Sequence, residues 1–249
     1  IHGPGLPGSQ APHPVVADAR YRTDSADPMC LDCHQAEYVY DDKPFVCTFQ
    51  TGDEWRAGPY PAEGKNCIGC HQPRITRPVA VGGAVREGGM HWFAGSGIPK
   101  FADRAPPAGT PPPPGLEVEA SVTPAGLAVT ATNANAGHWL PSGDPERWVQ
   151  VEVTFRDAAG AQVGVNLTRF GQTWQWSTPP VKLADNRLKP REARSWTLPP
   201  PSDAVVADVV ASSHRISKDN AEYHGLEGYP RSVETQRIRI DLASGNGTN

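Results

Sequence analysis

The sequence predicts a mainly β protein with much irregular backbone. A loop-rich first part with short helices is followed by an immunoglobulin-like antiparallel β-sandwich. Runs of alternating apolar and polar residues begin at Leu116, and Val149–Phe155 is the cleanest of them. Pro and Gly, with 27 and 25 of 249 residues, indicate many turns and breaks. The part before Leu116 instead holds two copies of a cysteine and histidine motif.

The second part of the chain contains about seven short alternating runs, a number typical of immunoglobulin-like sandwiches. Asp157–Gly160 supplies a hairpin turn after the cleanest run. The predicted strands are Leu116–Val122, Leu127–Thr132, Val149–Phe155, Gln162–Val165, Arg194–Leu198, Ala204–Ser212 and Arg237–Leu242.

A proline-rich segment separates the two parts. Residues 105–115 include the run Pro111–Pro114, which is typical of a stiff polyproline spacer. We therefore predict a first domain at 1–104, a linker at 105–115 and a sandwich domain at 116–249.

Two pentapeptides in the first domain, Cys30–His34 and Cys67–His71, have the form Cys-x-x-Cys-His, the attachment motif of c-type haem. The two thiols bond to one haem, and the histidine becomes its proximal iron ligand. A thioredoxin-like pair requires no histidine, and a zinc site would not place one after both cysteine pairs. We therefore predict a dihaem c-type cytochrome segment with two haem c groups. Cys30, Cys33, Cys67 and Cys70 form the thioether bonds, and His34 and His71 bind the irons.

Two further histidines stand where a distal iron ligand is expected. His91 lies between Met90 and two aromatic residues on a glycine-flanked loop. His138 lies between two predicted strands, beside Trp139 and Leu140, where an ordinary surface connection would be polar. We predict that both bind haem iron, so that the sandwich domain contributes a haem-contacting loop. In one alternative, His138 is a hydrogen-bonded loop residue and His13 of the N-terminal arm is the distal ligand in its place. In another, Met90 is the methionine that binds an iron.

Other residues near the motifs carry further expectations. Arg74 and Arg77 follow the second motif and are placed to pair with haem propionates. Cys47 is either a small core residue or a thiol close to haem. Gln35–Tyr40 is predicted to continue a short helix after the first motif.

Composition limits the partners and the location. The formal net charge of −4 argues against nucleic-acid binding. No apolar run approaches the length of a membrane span. Haem is attached to such motifs outside the cytoplasm, and a start at Ile1 is compatible with removal of a signal peptide. The expected location is therefore periplasmic or extracellular.

These residues resemble a group of exported multihaem c-type cytochromes, and the resemblance extends from Cys30 to about Gly160. The matching elements are Glu54–Trp55, Cys67–His71, His91–Gly95 and Gly137–Gly143. The chain departs from the family pattern at Trp92, which precedes Phe93, at Ser142, which replaces threonine, and at Gln72, where methionine is common.

The resemblance implies electron transfer through bis-histidine haems, with His91 and His138 as distal ligands. It does not imply which haem each histidine serves.

Three functions are compatible with this pattern. The first is an electron carrier between a protein donor and acceptor, among them other multihaem cytochromes. The second is a haem enzyme with one open coordination site, for which His214, His224 and Tyr223 would be pocket residues. The third is a subunit of a larger extracytoplasmic electron conduit, which is compatible with an oligomer. A resting absorption spectrum separates the first two, because only an open site gives a high-spin band.

Overall fold

The computed structural model describes residues 2–3, 14, 16–18, 27–44, 46–72, 74–78, 81–89, 97–98, 113–226, 228–243 and 247–248. Within these ranges the chain is rich in antiparallel strands, with few short helices, so the predicted mainly β fold with irregular backbone is confirmed. None of the helices in these ranges is long and apolar enough to cross a membrane. The predictions for His13, Met90, His91 and residues 105–112 concern positions outside the described residues.

The first part consists of short elements joined by turns. In chain order they are β1 (His2–Gly3), β2 (Val16–Ala17), α1 (Asp27–His34), β3 (Gln35–Val39), β4 (Val46–Gln50), α2 (Thr51–Arg56), α3 (Cys67–His71), β5 (Arg74–Pro78) and β6 (Val85–Gly89). Strands β1 and β2 pair in parallel, whereas β3–β4 and β5–β6 are antiparallel hairpins.

The predicted helix at Gln35–Tyr40 is wrong. Helix α1 ends at His34, and the chain turns directly into strand β3. Gln35 pairs with Gln50 and Val39 pairs with Val46 across the β3–β4 hairpin. Tyr and Val favour extended backbone when a neighbouring strand supplies the ladder partners, and that partner lies outside the local sequence window.

The second part contains the remaining elements. They are β7 (Leu116–Thr123), β8 (Gly126–Asn133), β9 (Trp148–Arg156), β10 (Gln162–Gln175), β11 (Val181–Asp185), β12 (Ala193–Leu198), β13 (Val206–His214), α4 (Lys218–Tyr223), β14 (Ser232–Asp241) and β15 (Gly247–Thr248). One sheet has the order β11-β10-β9-β13-β14-β15, and the other has the order β12-β8-β7. We call these two sheets the paired sheets.

The paired sheets share one apolar core. Strand β9 turns Val149, Val151 and Val153 inward, and β8 contributes Leu127 and Val129 from the other sheet. Alternating side chains of a strand point to opposite faces, so each sheet buries every second residue. The alternation that predicted these strands is the same pattern that fills the core.

Each predicted strand of the second part is present, with shifted ends. Strand β10 continues to Gln175, well past the predicted end at Val165. Strand β13 begins and ends two residues later than Ala204–Ser212. Strand β11 was not predicted, because four of its five residues are exposed and it shows no inward alternation.

Candidate metal centre

Both Cys-x-x-Cys-His motifs lie on short helices. The first occupies the end of α1, and the second is the whole of α3, so each histidine stands in a last helical turn. Asn66 is the N-cap of α3, and its side chain accepts a hydrogen bond from the Gly69 amide at 2.8 Å. All five cysteines lie in the described ranges, and none of them is in a disulfide.

Helix α2 packs against the first motif and against the residue that follows it. A Cβ atom at Gly52 would lie 2.5 Å from the Leu31 side chain, so only glycine permits this close approach. Gln35 donates from Nε2 to Asp53 at 2.8 Å and accepts from the Asp53 amide at 3.1 Å. Leu31 belongs to the motif itself, and its position therefore depends on α2.

Residues 134–147, which connect β8 to β9, form a loop that carries His138; we call it the histidine loop. Its base is organised by Asn133, whose side chain is fully buried. The Nδ2 group donates to the His138 carbonyl oxygen at 2.9 Å and to the Leu188 carbonyl oxygen at 3.1 Å. Its Oδ1 atom accepts from the Ala136 amide at 3.1 Å. One buried amide thus holds the backbone of His138 in place.

A network around a buried ion pair joins the histidine loop to the first part. Arg187 and Glu54 have side chains only 3% and 5% exposed, and their Nη1 and Oε1 atoms are 2.5 Å apart. Ser142 donates its hydroxyl to Glu54 at 2.6 Å, and Arg187 also donates to Asp185 at 2.8 Å. Burial raises the pKa of Glu54, against the opposing effects of the Arg187 charge and the Ser142 hydrogen bond. The network ties α2, the histidine loop and the end of β11 together.

The same arginine supports the aromatic neighbour of His138. The Arg187 guanidinium lies 5.0 Å from the centre of the Trp139 ring, and the Lys189 ammonium lies 5.5 Å from it. Leu188, between these two residues, is fully buried in the core and exchanges backbone hydrogen bonds with Leu140. The core of the paired sheets therefore sets the position of the histidine loop.

His138 is held in one tautomer. Its Nδ1 atom lies 2.9 Å from the Trp139 carbonyl oxygen. A carbonyl only accepts, so Nδ1 carries the hydrogen and Nε2 keeps its lone pair. Burial lowers the pKa of His138, and the charges of Arg187, His34 and Arg147 lower it further, against the opposing Trp139 hydrogen bond. A neutral imidazole with a fixed second nitrogen is the form that binds metals.

The imidazole of His138 faces that of His71. Their ring centres are 6.2 Å apart, and their planes differ by 12°. His71 is the histidine of the second motif. The structure thus brings a predicted proximal ligand and a predicted distal ligand together from distant parts of the chain.

The distance between the two ring centres is close to that of two imidazoles bound to one metal ion. A metal–imidazole bond is about 2.0–2.1 Å in zinc proteins, and each nitrogen lies about 1 Å from its ring centre, so two opposed imidazoles have centres roughly 6 Å apart. Among the described residues, no group of three or more His, Cys, Asp or Glu side chains gathers around one point. Two imidazoles suffice for haem, because the porphyrin supplies the other four nitrogen ligands. The two histidines are therefore compatible with the ligation of a haem iron.

The remaining predicted residues near the motifs are less enclosed. Arg74 and Arg77 lie on β5 with exposed side chains, and the Nε atom of Arg74 is 3.7 Å from Glu87. Cys47 lies in β4 opposite Tyr38 and is half-buried. None of these positions adds a further ligand to the His71–His138 pair.

Of the three residues considered for an enzymatic pocket, two are neighbours in the chain and the third lies on a different element. His214 ends strand β13 and stacks on Trp148 with ring centres 4.5 Å apart. Tyr223 and His224 lie at the end of α4, both exposed, with Tyr223 edge-on to His224.

The setting of His214 gives a testable pH dependence. Burial, with added repulsion from Arg169 and Arg231, lowers the pKa of His214 from its ordinary 6.5 to about 4. Between pH 6.5 and about pH 4 this histidine is therefore protonated in the unfolded chain and neutral in the folded chain. The free energy of unfolding consequently decreases as the pH is lowered through this range. One pKa unit is worth about 1.4 kcal/mol, and partial exposure of the ring reduces the total loss to roughly 1–2 kcal/mol.

We expect His214→Gln to flatten the fall in stability between pH 6.5 and 4, measured by urea unfolding at a series of pH values. His224→Gln is the matched control, because that histidine is exposed and should leave the slope unchanged. Equal slopes in the native protein and His214→Gln would contradict this account.

Two positioning residues were missed at the sequence level. Asn133 carried a signal: it continues the inward series Leu127, Val129 and Ala131, so a polar residue falls on a buried position. Arg187 carried none, because it follows an exposed edge strand and lies in a polar stretch. Its burial depends on Glu54, which is far away in the sequence.

Comparisons with known proteins agree with this fold. No protein-family model matches the chain, and no curated protein matches it. Among solved structures, the crystal structure of a penta-heme cytochrome c552 from Thermochromatium tepidum matches with a TM-score of 0.59 and 19% sequence identity. The match covers 91% of this chain and 58% of that chain, so this chain spans less than two thirds of the neighbour. At this identity the likeness concerns the fold, which resembles that of a multihaem c-type cytochrome.

Proposed function

We propose that the chain is a dihaem c-type cytochrome that transfers electrons between protein redox partners. The observation that carries this proposal is the pair of nearly parallel imidazoles of His71, in the second motif, and His138, whose ring centres lie 6.2 Å apart. The fixed tautomer of His138 supports it, since Nε2 is left to bind iron. The fold of the penta-heme neighbour is compatible with the same conclusion.

In this proposal each motif holds one haem c, through Cys30 and Cys33 or through Cys67 and Cys70. A bound haem supplies an iron that gains and loses one electron. His34 and His71 are the proximal ligands, His138 is the distal ligand opposite His71, and His91 is proposed as the distal ligand opposite His34. Two imidazoles on one iron favour a low reduction potential compared with histidine and methionine.

The wider setting belongs to the same proposal. We assign residues 1–104 to a dihaem domain, 105–115 to a linker and 116–249 to an immunoglobulin-like β-sandwich domain. Arg74 and Arg77 stay proposed partners of haem propionates. The protein is proposed to act in the periplasm or outside the cell, with a redox donor and acceptor that include other multihaem cytochromes.

We expect the denatured protein to have the mass of the chain plus two haem groups. Thioether bonds survive denaturation, so mass spectrometry of Cys67→Ala/Cys70→Ala should show one haem. Cys47→Ala is the matched control and should keep both, because Cys47 lies outside the motifs. If the denatured protein without substitutions has the mass of the chain plus a single haem, or if acidic acetone extracts the haem, the dihaem proposal is refuted.

A further inference from the structure

Arg147, the last residue of the histidine loop, is partly buried and incompletely hydrogen-bonded. Its Nε atom is buried and has no hydrogen-bond partner in the described part of the chain. Its Nη1 atom makes only a long contact of 3.5 Å with the Ser142 carbonyl oxygen. Asp144 attracts it through space, but its Oδ1 atom accepts from the Glu146 amide at 2.9 Å. The guanidinium therefore has donor capacity that no described residue uses.

The guanidinium lies where the paired sheets meet the first part of the chain. A Cβ atom at Gly143 would be 3.2 Å from Nη1 of Arg147 and 3.6 Å from the Phe49 ring. Gly143 has a φ of +87°, which other residues rarely adopt. A glycine at this position thus leaves room for the arginine between the histidine loop and strand β4.

Arg147 lies on the same loop as the proposed iron ligand His138, nine residues further along the chain. Burial lowers the pKa of Arg147 itself, and repulsion from Arg215 adds to this, whereas Asp144 opposes it. A buried cation with an unpaired N–H group is costly unless an anion or acceptor satisfies it.

Haem carries two propionate carboxylates, which are the kind of acceptor that this guanidinium lacks. Arginine binds a carboxylate through two parallel N–H donors, and such pairs are strongest when shielded from water. The sequence-based candidates Arg74 and Arg77 are exposed on β5, and Arg74 has Glu87 beside it. Arg147 combines partial burial, an Nε donor that no described residue uses, and a place on the same loop as His138.

We propose that Arg147 binds a propionate of the haem whose iron is held by His71 and His138. This inference rests on the proposed function, since it requires a haem at the second motif. It adds a cofactor-positioning residue from the histidine loop, so that one loop supplies both an iron ligand and a propionate partner.

The test uses the haem-loaded protein and three variants. Arg147→Gln removes both the positive charge and the paired N–H donors of the guanidinium, whereas Arg147→Lys keeps the charge. Arg237→Gln is the matched control, because it removes an exposed charge on β14. We expect Arg147→Gln to lower the midpoint potential of one haem, because an uncompensated propionate favours the oxidised iron. The propionate bending mode in the resonance Raman spectrum should shift in both Arg147 variants. Arg147→Lys should recover part of the potential, and Arg237→Gln should change neither readout.

Unchanged potentials and an unchanged propionate mode in Arg147→Gln would overturn the inference. So would a shift in potential that occurs only in the haem that remains in Cys67→Ala/Cys70→Ala, which is the haem of the first motif. If the Arg147 variants do not fold, a crystal structure of the native haem-loaded protein decides, by the distance from Nε to a propionate oxygen. A chain without haem at the second motif would instead refute the proposed function.

Discussion

Replacing Arg187 with methionine is expected to lower the free energy of unfolding by about 3–5 kcal/mol, because it leaves a buried carboxylate without its partner. Glu54 is 5% exposed, and its Oε1 atom depends on Arg187. Because methionine fills a similar volume, the loss of stability reflects the missing charge and hydrogen bonds more than the creation of a cavity. Chemical denaturation followed by circular dichroism provides the measurement.

Two controls separate burial from ion pairing in general. Arg237→Met breaks an exposed ion pair with Glu234, for which a much smaller loss is expected. The double variant Glu54→Gln/Arg187→Met should recover part of the loss, because position 54 then leaves no buried charge behind, whereas Asp185 still lacks its partner. Equal losses in Arg187→Met and Arg237→Met would show that the Glu54–Arg187 pair contributes no more than a surface contact.

Arg187→Met should also disturb the haem spectrum. Arg187 donates to the Pro141 carbonyl oxygen at 3.3 Å and lies against Trp139. Loss of these contacts loosens the histidine loop, so the effect on His138 follows from the same change.

His138→Ala is expected to convert one haem per chain from the six-coordinate low-spin form to a high-spin or water-ligated form. The imidazole opposite His71 disappears, and the methyl group of alanine cannot bind iron. The absorption spectrum of the oxidised protein reports the change. Added imidazole should restore the low-spin spectrum by entering the space left by the side chain.

A second background identifies the haem concerned. In Cys67→Ala/Cys70→Ala only the first motif holds a haem, and there His138→Ala should leave the spectrum unchanged. His224→Ala controls for loss of a histidine, since that residue is exposed at the end of α4. If His138→Ala keeps two low-spin haems while His13→Ala loses one, the N-terminal arm provides the distal ligand and our assignment is wrong.

Local chemistry made the two motifs predictable. The Cys-x-x-Cys-His spacing brings its cysteines together within one helical turn, so the motif can be identified without information about distant contacts. Both copies lie on helices in the structure. The alternation in Val149–Phe155 likewise reports its own burial, because a strand residue faces either the core or the outside.

Local pattern failed where a distant partner decides the conformation. Gln35–Val39 follows a helix in sequence, yet it forms a strand because β4 supplies its hydrogen-bond partners. Strand β11 was missed for the opposite reason. It is paired on one side by β10 but packs little of its surface into the core, so it carries no alternation.

The sequence by itself determined the chemistry of the candidate site: the thiols, their histidines, and His138 as an unusual residue between two strands. Only the tertiary structure brought His138 close to His71, buried Arg187 against Glu54, and left the buried Nε atom of Arg147 without a partner among the described residues. The physical reason is that a residue's type sets which bonds it can form. Burial and the choice of partner depend instead on chain segments that meet only after the paired sheets have formed their core.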